Sequence, residues 1–325
     1  MEQATEGSSA VGYRRPAIGD KGNERVGEIK RVLWIILFLN LGVALAKIIA
    51  GAIAKSAAMQ ADGFHSIFDG ASNVVGLVGM SFAGAPADDD HPYGHTKYET
   101  YASAIIGVML LFAAFRIGSE AIVGLRNPGA GPDITTLSFA VMIGTLVINL
   151  FITTWERRVG HKLGSSILVA DASHTGSDVL VSVGVIVSLV LVKYFHMPMA
   201  DPIVALLVCV AIVYTAWGVF RQASATLSDS SRIAPSEICR VVLAVPGAKG
   251  CHTIRTRGSE AEVYVDLHVQ VDPQSTVAEG HKVAEDVERT VADNFSQVAD
   301  VIAHLEPYDE YQQAKTAEET RAGLL

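Results

Sequence analysis

Residues 163–193 read LGSSILVADASHTGSDVLVSVGVIVSLVLVK, and this stretch decides how the rest of the chain is to be understood. A helix needs about 20 predominantly apolar residues to cross a bilayer, and the run is long and apolar enough for that. Yet its first half holds Asp171, His174 and Asp178. On insertion scales an acidic side chain at the centre of a membrane helix costs roughly 2.5–3.5 kcal/mol. Ionisable residues placed there default to function.

Five further apolar stretches flank this one, at roughly 31–53, 57–84, 99–125, 134–156 and 200–220. The second carries Ala61-Asp62-Gly63-Phe64-His65-Ser66-Ile67-Phe68-Asp69, and the fifth Ala170-Asp171-Ala172-Ser173-His174-Thr175-Gly176-Ser177-Asp178. Both read A-D-x-x-H-(S/T)-x-x-D. A His and an Asp four residues apart stand one above the other on a single helix face. Two such helices facing each other bring His65, Asp69, His174 and Asp178 into an N₂O₂ shell suited to tetrahedral Zn²⁺. These helices hold no thiolate, which disfavours Cu(I). The alternative is that the polar residues merely pair to hold a bundle together, an expensive use of four aspartates and two histidines. Asp62 and Asp171, three residues before each His, are candidates to orient the imidazoles or to attract cations along the access path. Helix pairing near the membrane edge explains them equally well.

The 325 residues are half apolar and 18% charged, with a mean hydropathy of +0.34. That is too apolar for a soluble domain and too charged for a chain that is membrane throughout. We expect an α-helical membrane bundle of six transmembrane helices over 30–222, then a soluble domain over 223–310. Disordered tails are expected at 1–29 and 311–325. A net charge of −9 without a basic stripe gives no support to nucleic-acid binding. The polar first 25 residues do not read as a signal peptide. Three widely spaced cysteines (Cys209, Cys239, Cys251) argue against a disulfide framework. Lys and Arg cluster on one side of the spans, at Arg14, Arg15, Lys21, Arg25, Lys30, Arg31, Lys97, Arg157, Arg158, Lys162 and Arg221. The other side has Lys55, Arg126 and Lys193. Both termini are therefore expected in the cytoplasm.

In the soluble part, residues 262–271 alternate strictly. Val263, Val265, Leu267, Val269 and Val271 fall on one strand face, and Tyr264, Asp266, His268 and Gln270 on the other. Helices near 235–245, opened by Pro235, and 276–295, with strands near 250–257 and 298–305, complete an α-β-β-α-β order. An α+β sandwich with helices on one face of the sheet follows.

The doubled motif, the six spans and Pro86-Ala87-Asp88-Asp89-Asp90-His91-Pro92-Tyr93-Gly94-His95-Thr96-Lys97-Tyr98-Glu99 together resemble the cation diffusion facilitator family over roughly 30–307. The resemblance implies a homodimeric proton-coupled metal antiporter with a ferredoxin-like cytoplasmic domain, in the cell (inner) membrane of a bacterium. It implies a transport site at His65, Asp69, His174 and Asp178, and His on both helices is similar to the zinc-preferring members. Exchanging carboxylate for imidazole moves preference from Mn²⁺ toward Zn²⁺ for the same reason of ligand softness.

The resemblance implies a second zinc site at Asp88, His91 and His95. A structural HPYGH turn whose histidines cap the next helix stands as the alternative. It implies a salt bridge between Lys97 and Asp229, and a two-metal site from His252, His268, His281, His304 and Glu306, with Glu where those relatives have Asp. Zn²⁺ is then both substrate and regulatory ligand, with divalent metal ions, protons and the lipid bilayer as partners. The same scaffold carrying Fe²⁺, Mn²⁺ or Co²⁺ remains open. An intramembrane metallohydrolase needs an open coordination position and a general base; Glu120 is the nearest candidate base.

Overall fold

The computed structural model describes residues 18–53, 66–67, 70–126, 136–195, 197 and 199–322. The membrane part contains α1 (Ile18–Ile53), α2 (Ala71–Ala83), α3 (Lys97–Arg126), α4 (Thr136–Lys162), α5 (Ser166–Phe195) and α6 (Ala200–Leu227). By length and composition, Glu24–Ile49, Lys97–Arg126, Phe139–Lys162 and Pro202–Leu227 can each cross a membrane. Helix α2 is the described end of the predicted second span, and α5 is the 30-residue helix that carries the second copy of the motif.

Packing explains which faces are apolar. Ile29, Leu33, Ile36, Met80, Ile106, Leu110, Ile152, Ile167, Leu168 and Ile212 form a common interior. Phe112, Phe115, Phe151, Leu207 and Trp217 point outward and are largely exposed, as a lipid-facing surface requires. Helix α3 runs along α6, and α5 lies between α4 and α6. Close crossing of α2 and α3 depends on Gly79, where a Cβ would stand 2.3 Å from the Ala102 Cβ. Gly79→Val is expected to destabilise the protein by about 1–3 kcal/mol, the usual cost of overpacking. Thermal unfolding of the purified protein in detergent checks this, and an unchanged midpoint contradicts it.

The expected disordered stretch 1–29 needs correction, because α1 begins at Ile18. Arg25 fixes this segment: its Nη2 pairs with the buried Glu99 at 2.9 Å and donates to the Gly164 carbonyl at 3.0 Å. Its Nε donates to the Leu163 carbonyl at 2.7 Å. Ser165 Oγ also donates to Glu99, at 2.6 Å. Helix α1, the start of α3 and the α4–α5 turn thus share one guanidinium.

The soluble part follows the predicted order closely, with α7 (Pro235–Val242), β1 (Gly250–Gly258), β2 (Val263–Val271), α8 (Val277–Asn294) and β3 (Val298–Pro307). Thr276 and Glu279 form a reciprocal capping box that starts α8. Strand β2 is central, antiparallel to β1 and parallel to β3. The alternating valines and Leu267 of β2 are buried against Ile238, Val242, Val287 and Val291 of α7 and α8. A bulge in β1 between His252 and Arg255 contains Thr253 at φ +51°.

Three expectations fail here. In the stretch 311–325, expected to be disordered, residues up to Arg321 instead belong to α9 (Glu310–Arg321), capped by the Asp309 side chain. It packs by β1, on the polar face of the sheet, so helices do not cover one face only. Its Gln, Ala, Lys and Glu residues favour helix, but it buries none of its own residues, so no apolar stripe announced it. Cys239 and Cys251 are disulfide-paired with Cα atoms 5.9 Å apart, which the sequence spacing did not suggest. The link between membrane and soluble parts is short. Arg232 spans it, donating to Thr226 Oγ1 at the end of α6 and to the Gly258 carbonyl at the end of β1, both at 2.8 Å.

Candidate metal centres

His174 and Asp178, one turn apart on α5, line a cavity of about 20 Å³ together with Asn40, Val43, Ser66, Asn149 and Thr175. That volume holds one ion or one water. His174 is buried, and neither of its ring nitrogens meets a hydrogen-bond partner among the described residues. A neutral imidazole keeps one nitrogen lone pair that can bind a metal. His65, Asp69 and Asp62 lie outside the described residues, but Ser66, between the first two in sequence, borders the same cavity.

Of the roles open to Asp171 from sequence, the described contacts favour helix pairing. Asp171 is fully buried, and its Oδ2 accepts from Asn73 Nδ2 on α2. Asn73 Oδ1 in turn accepts from Asn40 Nδ2 at 3.0 Å. The other Asp171 oxygen and both oxygens of the buried Glu156 meet no donor among the described residues. Glu156 lies close enough to Asp171 for the two carboxyls to interact electrostatically. Glu156 was missed from sequence because it ends the 134–156 run beside Arg157 and Arg158, and reads as a flank.

The loop after α2 gathers Asp88, His91 and His95, whose ligand atoms lie within 4.8 Å of one another. Asp88 accepts from the His91 backbone N–H at 2.7 Å, and this bond holds its carboxyl below the ordinary range. His91 Nδ1 is 3.1 Å and His95 Nε2 3.4 Å from the Asp88 oxygens. His95 Nδ1 lies 3.0 Å from the Pro86 carbonyl, which can only accept. This ring nitrogen therefore carries the proton, leaving Nε2 as a lone pair directed at the cluster. Gly94, at φ +82°, makes the turn that brings the two histidines together. Lys97 Nζ lies 3.4 Å from Asp229 Oδ1, an exposed pair at the start of α3 and just past α6.

In the soluble domain, His252, His268 and Glu306 converge within the same 4.8 Å limit. His252 Nε2 is 2.6 Å from Glu306 Oε2, and His268 Nδ1 is 2.8 Å from Oε1. Burial pushes the Glu306 carboxyl up, but the bonds from His268 and His252 outweigh it and hold the group below its ordinary value. Two imidazoles and one carboxylate suit a borderline divalent cation, so the donor set fits such an ion. His304 sits opposite His268 in the ladder, ring centroids 4.7 Å apart, outside the converging triple. His281 is not brought in. It sits exposed on α8, which covers the opposite face of the sheet, and faces Glu285 at 3.4 Å. Cys251 is buried and paired, so it offers no thiolate to the site.

Comparison with known proteins gives two adjoining family matches. Residues 33–228 match the cation efflux transmembrane domain, and residues 231–308 match the cytoplasmic domain of cation efflux proteins. Metal tolerance protein C1 of Arabidopsis thaliana is 30% identical over 91% of this chain, which spans 64% of that protein's length. An uncharacterised transporter of Methanocaldococcus jannaschii is 31% identical over 79% of this chain and 90% of its own. The manganese efflux system protein MneS of Bacillus subtilis is 29% identical over 88% of this chain and 99% of its own length.

Proposed function

The chain belongs to the cation efflux family of divalent-metal transporters, and from that premise we propose that it exports Zn²⁺ in exchange for protons. The observation that carries the choice of site is the small polar cavity lined by His174, Asp178 and Ser66. The His174 ring, without a hydrogen-bond partner among the described residues, and the motif repeated at 61–69 in the sequence support four ligands: His65, Asp69, His174 and Asp178. Two imidazoles with two carboxylates favour Zn²⁺ over harder ions.

The cycle we propose is alternating access. Zn²⁺ enters from the cytoplasm and takes neutral imidazoles and ionised carboxylates, releasing any proton they hold. On the far side, protonation of the histidines weakens the shell and the ion leaves. Glu156 and Asp171 extend the acidic interior beside this route. Two chains assemble as a homodimer in a bacterial inner membrane, with both termini in the cytoplasm. Asp88, His91 and His95 hold a second ion, and the site at His252, His268 and Glu306 senses cytoplasmic metal. Lys97 and Asp229 couple the two parts.

Manganese is the second reading, favoured by the name of the Bacillus subtilis relative. Reconstitution in vesicles separates the two. Under an imposed pH gradient, Zn²⁺ flux is expected to exceed that of Mn²⁺, Fe²⁺ and Co²⁺ and to collapse with a protonophore. Flux of Mn²⁺ without Zn²⁺, or flux indifferent to the gradient, overturns the proposal.

A further inference from the structure

Helix α9 begins two residues beyond the matched cytoplasmic domain, which ends at residue 308. It lies on the sheet face where His252, His268 and Glu306 converge, and polar contacts hold it there. Gln270 Nε2 donates to the Gln312 carbonyl at 3.0 Å and to Thr316 Oγ1 at 2.9 Å. The Thr253 backbone N–H donates to Glu319 Oε2 at 2.6 Å, and the Thr253 hydroxyl donates to Oε1 at 2.7 Å. One strained residue therefore grips one carboxylate with two donors.

The strain has a visible result. A β-branched residue at φ +51° is an outlier that the surroundings must enforce. Here it turns the Thr253 hydroxyl toward the buried His252 ring, with Nδ1 and Oγ1 2.8 Å apart. Because that hydroxyl gives its proton to Glu319, its oxygen accepts from Nδ1–H. Nε2, 2.6 Å from Glu306 Oε2, is then the ring atom from which an incoming metal must displace a proton. Glu319 Oε1 itself stands 3.7 Å from Nδ1. A carboxylate behind a histidine, fixing its tautomer and its angle, is the arrangement that prepares imidazoles for metals. The same helix brings a cation to the site: Lys315 Nζ lies 4.0 Å from Glu306 Oε1.

We propose that α9 is part of this metal site, with Glu319 acting through Thr253 as the positioning residue for His252 and Lys315 as the charge a divalent ion must displace. The proposal rests on reading His252, His268 and Glu306 as a metal site. Helix docking and metal occupancy then become coupled, each strengthening or weakening the other by the same factor. The two residues act with opposite sign from one helix, which separates their roles from a general loosening of α9.

The test uses the full-length protein in lipid nanodiscs, titrated with Zn²⁺ and followed by amide hydrogen exchange of the β2 peptide that contains His268. The readout is the free Zn²⁺ concentration at half-maximal protection. Glu319→Gln is expected to raise that midpoint about tenfold or more, and Lys315→Gln to lower it several-fold. An unchanged midpoint in Glu319→Gln, or shifts of both variants in one direction, overturns the proposal. His268→Ala separately tests the underlying site. If Zn²⁺-dependent protection survives that change, the metal-site reading itself fails.

Discussion

Replacing Asp178 by Ala is expected to cut Zn²⁺ flux in reconstituted vesicles by about 100-fold or more, with the protein still folded. Losing even a partner that orients a metal ligand costs about 10–100-fold in affinity, and removing a charged ligand costs at least as much. Asp178 also supplies negative charge in a low-dielectric interior, where a divalent ion has little water to replace it. Its position argues the same way: it lines the cavity with His174, at four residues' spacing on one helix. The measurement is uptake of Zn²⁺ reported by a trapped fluorescent indicator, with elution volume and thermal midpoint as controls for folding. Flux within about twofold of the unmutated protein would remove Asp178 from the site, since tenfold corresponds to only about 1.4 kcal/mol.

The second large effect concerns which metal moves. His174→Asp is expected to lower the Zn²⁺-to-Mn²⁺ flux ratio about tenfold or more. Imidazole suits Zn²⁺, whereas a further carboxylate makes the shell harder and favours Mn²⁺. The His174 ring makes no hydrogen bond among the described residues, so its replacement breaks none there. Competition between the two ions in one vesicle preparation reads the ratio directly. A ratio that stays fixed while both fluxes fall would mean that His174 shapes the cavity without choosing the ion.

Much of this was legible from sequence because the signals were periodic. Apolar runs gave the spans, and the strict alternation through Val263–Val271 gave the buried and polar faces of the central strand. The metal clusters were legible in part. The resemblance grouped His252, His268, His281, His304 and Glu306; His252, His268 and Glu306 converge, whereas His281 lies exposed on α8 beside Glu285. Asp171 was left open between orienting an imidazole, drawing cations and pairing helices, because a partner such as Asn73, distant in sequence, cannot be read from spacing. Glu156 was hidden by the arginines after it. Helix α9 was hidden for a different reason. Its hold on the sheet is polar, through Gln312, Thr316 and Glu319, and hydrophobic patterning is blind to such docking. The Thr253 strain that completes that docking leaves no mark in the sequence at all.

Arg232 sets how motion passes between the two halves of the chain. A linker of a few residues would ordinarily act as a swivel, letting the soluble part tumble while the helices keep still. With its guanidinium bonded both to Thr226 and to the Gly258 carbonyl, this one is braced at both ends. Helix α3 lies along α6 and begins at Lys97, beside the loop of Asp88, His91 and His95. If the soluble part senses metal as proposed, this brace is the stiff element through which a rotation of the sheet would reach the helices.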